Sequence, residues 1–557
     1  MRESTKSSIK TQTRRPNPKV RTGCETCKIR RIKCDEAKPH CLRCTSTGRK
    51  CDGYPNSPAG RSFVHFNQTT ISSLTKVDKS LHSLAGSPEE SRYLEYYFHR
   101  AGPRLSGNLD SDLWMRIVLQ FASAEPAIRH ATMVISYLYE RRIEHQQAAS
   151  PLALALPAKG ERFFLKHYNE AIRCLVARMQ TRSNALEISL VTCMLFVCME
   201  ILRAEQSKFA MAHFLSGLDI VATLRARKRL GLPSASQKLL TSPDSPTLTF
   251  VEDKLVPAFA RLTMTALLFG HRAPQLYLSP SSTTSGLLLS IPPTFSTFHE
   301  ARLSLYDIMN LALMFIHSIN CKKYEPSGFL PGDLDHHRHF CALIPQWSTA
   351  FEASTATICT TPSLRESSTV LRILYTVTHI WLICCMDPTE MAYDAHLPAF
   401  KHALVLSTQI LESGTLATET PTTSSSSSSS AFSFEPELIP PVYFVAHRCR
   451  DPHTRRDALA LLRQYPRREG LWTTSTSAAS VARIILREEA RSGGEGGAWP
   501  AEEMRIHDAV YSDEAPALKA AFYAVPGGRG TERVVWGEEM DLMREERVTR
   551  EEWRGVW

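Results

Sequence analysis

Three things are scarce in this 557-residue chain. The first is long apolar runs. The two longest uncharged ones, ISLVTCMLFVCM (188–199) and ILYTVTHIWLICCM (373–386), fall short of the ~18–20 residues that a membrane span needs. Both are therefore read as buried helices. The second is an apolar leader: the opening residues, MRESTKSSIKTQTRRPNPKVR, are basic and polar throughout. The expectation is an intracellular chain that does not span a membrane. The third is catalytic signatures. The chain has no Gly-rich phosphate loop, no G-x-S-x-G elbow and no H-E-x-x-H pair. SGGEGGAW (492–499) has no strand before it. DLDHHRHF bunches His336, His337 and His339, but neighbours on a helix point different ways, so a solvated or helix-start cluster is expected. An enzyme is not.

What is present is unevenly placed. Residues 1–54 hold 15 Lys/Arg against 5 Asp/Glu, which is the whole net charge of +10. The remaining 503 residues hold 51 of each sign. A basic head on a neutral body points to a polyanion, and nucleic acid fits better than a membrane surface, because the head has no amphipathic helix.

Inside that head, GCETCKIRRIKCDEAKPHCLRCTSTGRKC (23–51) carries six cysteines and eight Lys/Arg. The cysteines are Cys24, Cys27, Cys34, Cys41, Cys44 and Cys51, and C-x2-C-x6-C occurs twice. A reducing compartment disfavours disulfides, and two C-x-x-C pairs suit tetrahedral zinc. Two separate four-coordinate sites need eight ligands. Six suffice if two thiolates are shared, and the internal repeat nominates the first cysteine of each half, Cys24 and Cys41. One zinc then takes Cys27 and Cys34, the other Cys44 and Cys51. So short a stretch has no core of its own, so the metal is expected to fold it.

In KIRRIK, between Cys27 and Cys34, Ile29 and Ile32 are expected to face the cluster while Lys28, Arg30, Arg31 and Lys33 project outward. The cysteine spacing, CKIRRIKCD (27–35) and Pro39 resemble the fungal zinc binuclear cluster family of transcription factors. That resemblance implies two zinc ions per chain, a nuclear location, and a short helix in the major groove of double-stranded DNA. It further implies Arg30 and Arg31 on bases of CGG-like triplets and Lys33, with Lys28, on phosphates. Relatives often carry Lys where this chain has Arg31. The preceding arm, Arg14, Arg15, Lys19 and Arg21, suits phosphates or nuclear import, and Arg43, Arg49 and Lys50 suit further backbone contacts. A zinc head that binds RNA or protein instead of DNA is the alternative.

The organisation expected is mainly α. Residues 1–22 form a basic disordered arm and 23–54 the small N-terminal two-zinc six-cysteine DNA-binding module. Residues 55–91 form a flexible linker, in which Leu74, Val77, Leu81 and Leu84 make under two heptads. Homodimer and monomer both stay open. From 92 to 490 the pattern is helical. FFLKHYNEAIRCLVARM aligns Phe164, Tyr168, Ile172, Leu175 and Met179 in one apolar stripe, and LEISLVTCMLFVCMEIL is apolar nearly all round. YYFHRAGPRLSGNLDSDLW (96–114), EPAIRHA (125–131) and CRDPHTRRDALALLRQYPRREGLW (449–472) resemble the fungal-specific regulatory domain. The likeness implies a large all-α regulatory domain that works with co-regulators or small molecules. A Ser-rich low-complexity insertion (413–437) is expected to be disordered, and 491–557 to be a loosely ordered tail, although ERVVWGEEM within it alternates like a strand. The nine cysteines outside the cluster lack C-x-x-C spacing and read as small core residues. His213 reads as packed between helices.

Overall fold

Ser87, Thr297, Thr361 and Asp451 each end a non-helical stretch and start a helix. In the computed structural model their side-chain oxygens accept the N–H of Glu90, Glu300, Leu364 and Thr454 at 2.9–3.2 Å. Three of these helices have proline at the first position, where a missing N–H costs nothing. The structure describes residues 24–51 (except 31, 33, 36 and 38–40), 86–109, 112–147, 158–180, 185–203, 207–229, 254–268, 290–320, 322–325, 327–416, 431–489, 499–512, 518–524, 533–541 and 546–555. It divides into two units, 1–70 and 71–557.

The first unit holds two short helices, α1 (Glu25–Ile29) and α2 (Leu42–Thr45). The second begins with α3 (Pro88–Tyr96), which continues through a π turn, Tyr97–Ala101, into Gly102–Leu105. The Gly102 N–H reaches back five residues to the Tyr97 carbonyl, which widens the turn. The helical body then runs α4 (Val118–Ala124), α5 (Pro126–Gln147), α6 (Ala158–Gln180), α7 (Ala185–Arg203), α8 (Ser207–Arg229), α9 (Val256–Leu268), α10 (Phe298–Ile319), α11 (Pro331–Ile358), α12 (Pro362–Cys384), α13 (Leu397–Leu416), α14 (Ile439–Arg448), α15 (Pro452–Gln464) and α16 (Thr474–Glu489). One hydrophobic core extends from Tyr93 to Ile485. α7 is buried from Glu187 to Leu202, as its all-round apolar sequence requires. α12 is, among the described residues, the one helix long and apolar enough to cross a membrane, yet 61% of its apolar window is buried within the body. It is a core helix.

Five expectations need correction. The linker expected over 55–91 ends earlier, because α3 starts at Pro88; its heptad residues lie outside the described residues. The α6 stripe is rotated: Phe163, Phe164, His167 and Ala171 are buried, whereas Ile172 and Met179 are 38% and 54% exposed. Polar contacts set that rotation, since Lys166 bonds Glu90 at 3.1 Å and His167 bonds His130. The Ser-rich insertion is ordered at both edges. α13 runs to Leu416, and 431–437 re-enter the body because Phe432 and Phe434 are buried.

The regulatory domain is also not wholly α. β1 (Ala431–Ser433) pairs parallel with β2 (Arg467–Glu469), which turns at Gly470 onto β3 (Trp472–Thr473). Gly470 has φ +56°, and a Cβ there would sit 2.9 Å from the Phe434 carbonyl oxygen. Last, the expected loose tail contains an antiparallel four-stranded sheet in the order β4 (Asp508–Ser512), β5 (Leu518–Ala524), β6 (Arg533–Asp541) and β7 (Glu546–Gly555). ERVVWGEEM falls on β6. Ladder bonds to sequence-adjacent strands, not a run of apolar residues, make this sheet.

Charge is buried where the body closes. Glu469 accepts the N–H groups of Glu437, Leu438 and Ile439 through one oxygen at 2.7–2.9 Å, capping α14 from another strand. Glu437, fully buried, accepts from the backbone and side-chain nitrogens of Asn108 at 2.8 and 2.7 Å. Burial, with Glu469 nearby, pushes its carboxyl up to about 8. Between 4.5 and about 8 the folded chain therefore holds a proton that the unfolded chain releases, and stability falls as pH rises through that window. Glu437→Gln is expected to melt above the wild type at pH 8.5 and close to it at pH 4.5, with a gap widening between them. Parallel thermal melts at several pH values check this, and a gap independent of pH would refute the neutral carboxyl.

Candidate zinc centre and nucleic-acid interface

The 17-residue offset between the two cysteine triplets reappears in the fold. α1 starts after Cys24 and α2 after Cys41. The N–H of Cys27 points to Cys24 Sγ at 3.4 Å, and that of Cys44 to Cys41 Sγ at 3.3 Å. The N–H of Cys24 meets Cys34 Sγ at 3.4 Å, and that of Cys41 meets Cys51 Sγ at 3.5 Å. Each half is thus the same loop, closed by the same N–H···S bonds.

The six sulfurs fall into two overlapping groups of four. Cys24, Cys27, Cys34 and Cys41 form one, and Cys24, Cys41, Cys44 and Cys51 the other, with the ligand atoms of each within 4.8 Å of one another. Cys24 and Cys41 belong to both. Within the groups, Sγ–Sγ separations are 3.6 Å for Cys24–Cys41, 3.6 Å for Cys27–Cys41 and 3.9 Å for Cys24–Cys44. A tetrahedron with Zn–S of about 2.3 Å has edges of about 3.8 Å. The donor set fits two zinc ions.

The electrostatics fit too. Burial pushes the Cys24 thiol up to about 12 and raises Cys27 and Cys41 as well. Thiols so placed stay protonated on their own, and a divalent cation supplies the charge that makes them thiolates. Six thiolates against two Zn²⁺ leave −2, beside an excess of Lys and Arg.

Asp35, which the sequence reading did not single out, joins the halves. Its carboxylate accepts the N–H groups of Leu42 and Arg43 at 2.9 and 3.3 Å, at the start of α2. Desolvation opposes its ionisation, but these backbone bonds hold its carboxyl below the usual range. The repeat offered a signal, since both halves end in Cys-Asp (34–35 and 51–52).

Of the basic residues, Arg30 sits in the turn after α1, with its N–H on the Thr26 carbonyl at 3.1 Å and Nη1 3.5 Å from Thr47 Oγ1 of the other half. It is half-buried. Lys28 lies on α1, and Arg43, Arg49 and Lys50 are exposed. Arg31, Lys33, Arg21 and Arg15 lie outside the described residues. The expected placing of the isoleucines is wrong. Ile29 is 79% and Ile32 38% exposed. α1 stops at Ile29, so helical periodicity does not carry to Ile32, and the module's interior is filled by sulfur.

The histidine run opens α11, where His337 Nε2 contacts the Leu382 carbonyl at 2.9 Å. None of its members enters a group of metal-ligand side chains among the described residues. His213 is half-buried against Phe196, ring centres 5.3 Å apart.

Comparison with known proteins matches residues 22–61 to the fungal Zn(2)-Cys(6) binuclear cluster domain and residues 92–465 to the fungal specific transcription factor domain. The chain belongs to the fungal specific transcription factor family. Its zinc cluster domain binds two zinc ions. Over 86% of its length this family member is 24% identical to the aspercryptin biosynthesis cluster-specific transcription regulator atnN of Emericella nidulans, of which it covers 89%. It is 30% identical to transcription regulator lscL of Purpureocillium lilacinum over 36% of the chain and 49% of that protein. A 49-residue stretch, 8% of the chain and 10% of the relative, is 61% identical to transcriptional regulatory protein moc3 of Schizosaccharomyces pombe. No solved structure matches. The family is one of transcription regulators, not of enzymes.

Proposed function

We propose that this chain is a sequence-specific regulator of RNA polymerase II transcription that reads CGG-like triplets through its zinc head. The observation that carries the reading is the pair of overlapping thiol tetrads, with a basic run joining Cys27 to Cys34. Cys24 and Cys41, which belong to both tetrads, would be shared by the two ions, Cys27 and Cys34 would complete one site, and Cys44 and Cys51 the other. When bound, the zinc supplies folding energy and no reaction chemistry. The protein residues do the reading. Arg30 and Arg31 place guanidinium forks against guanine O6 and N7; Lys28, Lys33, Arg21 and Arg15 sit on phosphates. Because the head carries the entire net charge, affinity falls steeply with salt.

Arg31→Ala is expected to cost about 1–3 kcal/mol on a CGG duplex and much less on a scrambled one. Lys33→Ala weakens both alike and lowers the salt slope by about one. Mobility shifts with the full chain on both duplexes at several salt concentrations check this. Equal losses on both duplexes for Arg31→Ala overturn the base-reading role. Tighter binding of single-stranded RNA than of CGG duplex overturns the DNA reading in favour of an RNA-binding head.

A further inference from the structure

Where α5 meets α6, a chain of polar groups runs through otherwise apolar packing. Glu90 Oε1 lies 3.7 Å from His167 Nε2. His167 Nδ1 lies 2.9 Å from His130 Nδ1. Beyond His130, one of its ring nitrogens, a carboxylate oxygen of Glu170 and Cys174 Sγ all lie within 4.8 Å of one another. His167 is fully buried, while His130, Glu170 and Cys174 are half-buried. Glu170 and Cys174 are four apart on α6 and so share a face.

We propose that His130, Glu170 and Cys174 form a third zinc site, separate from the six-cysteine cluster and independent of the DNA reading. One nitrogen, one oxygen and one sulfur are all donors that Zn²⁺ accepts, and borderline softness favours it over Mg²⁺ or Ca²⁺.

The contact between the two rings orients the nitrogen. Their Nδ1 atoms lie 2.9 Å apart, so one of them donates and the other accepts. With His130 donating from Nδ1, its Nε2 keeps a free lone pair for the metal. Metal-binding histidines are held in this manner, the far N–H fixed by a second partner.

The carboxylate is also available. Arg173 makes two bonds to Glu170, at 3.0 and 2.6 Å, and both fall on Oε2. Oε1 takes neither. With three protein ligands and a half-exposed position, the fourth place goes to water. The site is therefore exchangeable, unlike the closed thiolate cluster.

The test is zinc stoichiometry and exchange on the full-length, cluster-loaded protein, titrated with Zn²⁺ against a fluorescent zinc indicator. Wild type should bind one more zinc per chain than Cys174→Ser, and that extra ion should exchange with the indicator. Glu170→Gln should weaken the extra site roughly tenfold or more. Cys341→Ser, a half-buried thiol on α11, should keep it. Because Glu170 and Cys174 are only half-buried, thermal melts of their metal-free variants should overlay the wild type. Equal zinc content in wild type and Cys174→Ser overturns the proposal, as does an extra ion lost equally from Cys341→Ser.

Discussion

Stripping the cluster zinc with a strong chelator should unfold residues 24–51 and abolish binding to CGG duplex, while the helical body keeps its melting temperature. α1 and α2 are five and four residues long, far below the ~12–15 that an isolated helix needs to be even marginal. The buried side chains of this unit among the described residues are cysteines, with no Leu, Ile or Phe among them. Its exposed residues include Ile29 and Leu42, at 79% and 66%. Without metal, the buried thiols contribute little transfer energy, and the N–H···S bonds replace bonds to water. Zinc must supply the difference, and structural zinc in small modules delivers roughly 10–16 kcal/mol. Tryptic cleavage after Arg30 and Arg43, read by mass spectrometry, reports the unfolding. A metal-free chain that resists cleavage there refutes the account. Single substitutions refine it: Cys24→Ser and Cys41→Ser should each lose two zincs, whereas Cys51→Ser should lose one. Equal losses from all three would remove the bridging roles.

The zinc centre was legible because spacing in a short segment constrains space directly. Cys24 and Cys41 head the two triplets, and the fold puts them in both tetrads by the same repeat. Ile29 and Ile32 were not legible, because inferring a face from a three-residue step assumes a helix that continues, and α1 ends at Ile29. In the body, apolar periodicity identified α7, where every face is buried, but it misjudged the α6 face. There, His167 outcompetes Ile172 for the interior through bonds to groups far away in sequence. The C-terminal sheet was hidden for a different reason. β7 reads ERVTREEWRG, too polar for a buried-strand pattern, and only its ladder with β6 makes it a strand. Least legible were the buried charges. Arg450 finds Glu390 and Glu488, 60 and 38 residues away, and nothing local distinguishes it from the solvated arginines nearby.

That network carries the second large effect. Glu488, fully buried, accepts from Arg450 Nη2 at 2.9 Å and from the Ile506 N–H at 2.8 Å, and pairs with Arg455 Nη2 at 2.8 Å. Arg450 also reaches Glu390, which Arg448 engages at 2.5 Å. Glu488→Ala leaves two fully buried guanidiniums short of a counter-charge and frees the chain at Ile506. Removing one partner of a buried ion pair costs about 3–5 kcal/mol, against a total stability of about 5–15 kcal/mol. The urea midpoint should drop accordingly, and hydrogen exchange should rise first at 499–508, where Arg505 still holds Asp394 at 2.7 Å. The effect should depend on pH in one direction. Burial alone would raise the Glu488 carboxyl, but Arg450 and Arg455 outweigh it and hold the group below the ordinary carboxylate range. The stability it contributes is therefore fully present above the unfolded value of 4.5 and is lost as pH falls through the lower folded one. Wild-type and Glu488→Ala midpoints should differ most near neutral pH and converge in acid. Replacing the triad together, with Glu488→Leu, Arg450→Met and Arg455→Leu, removes the stranded charges as well as the pairing, so it should recover much of the loss. A triple variant no more stable than Glu488→Ala would mean that the cost lies in lost packing around Ile506 rather than in uncompensated charge.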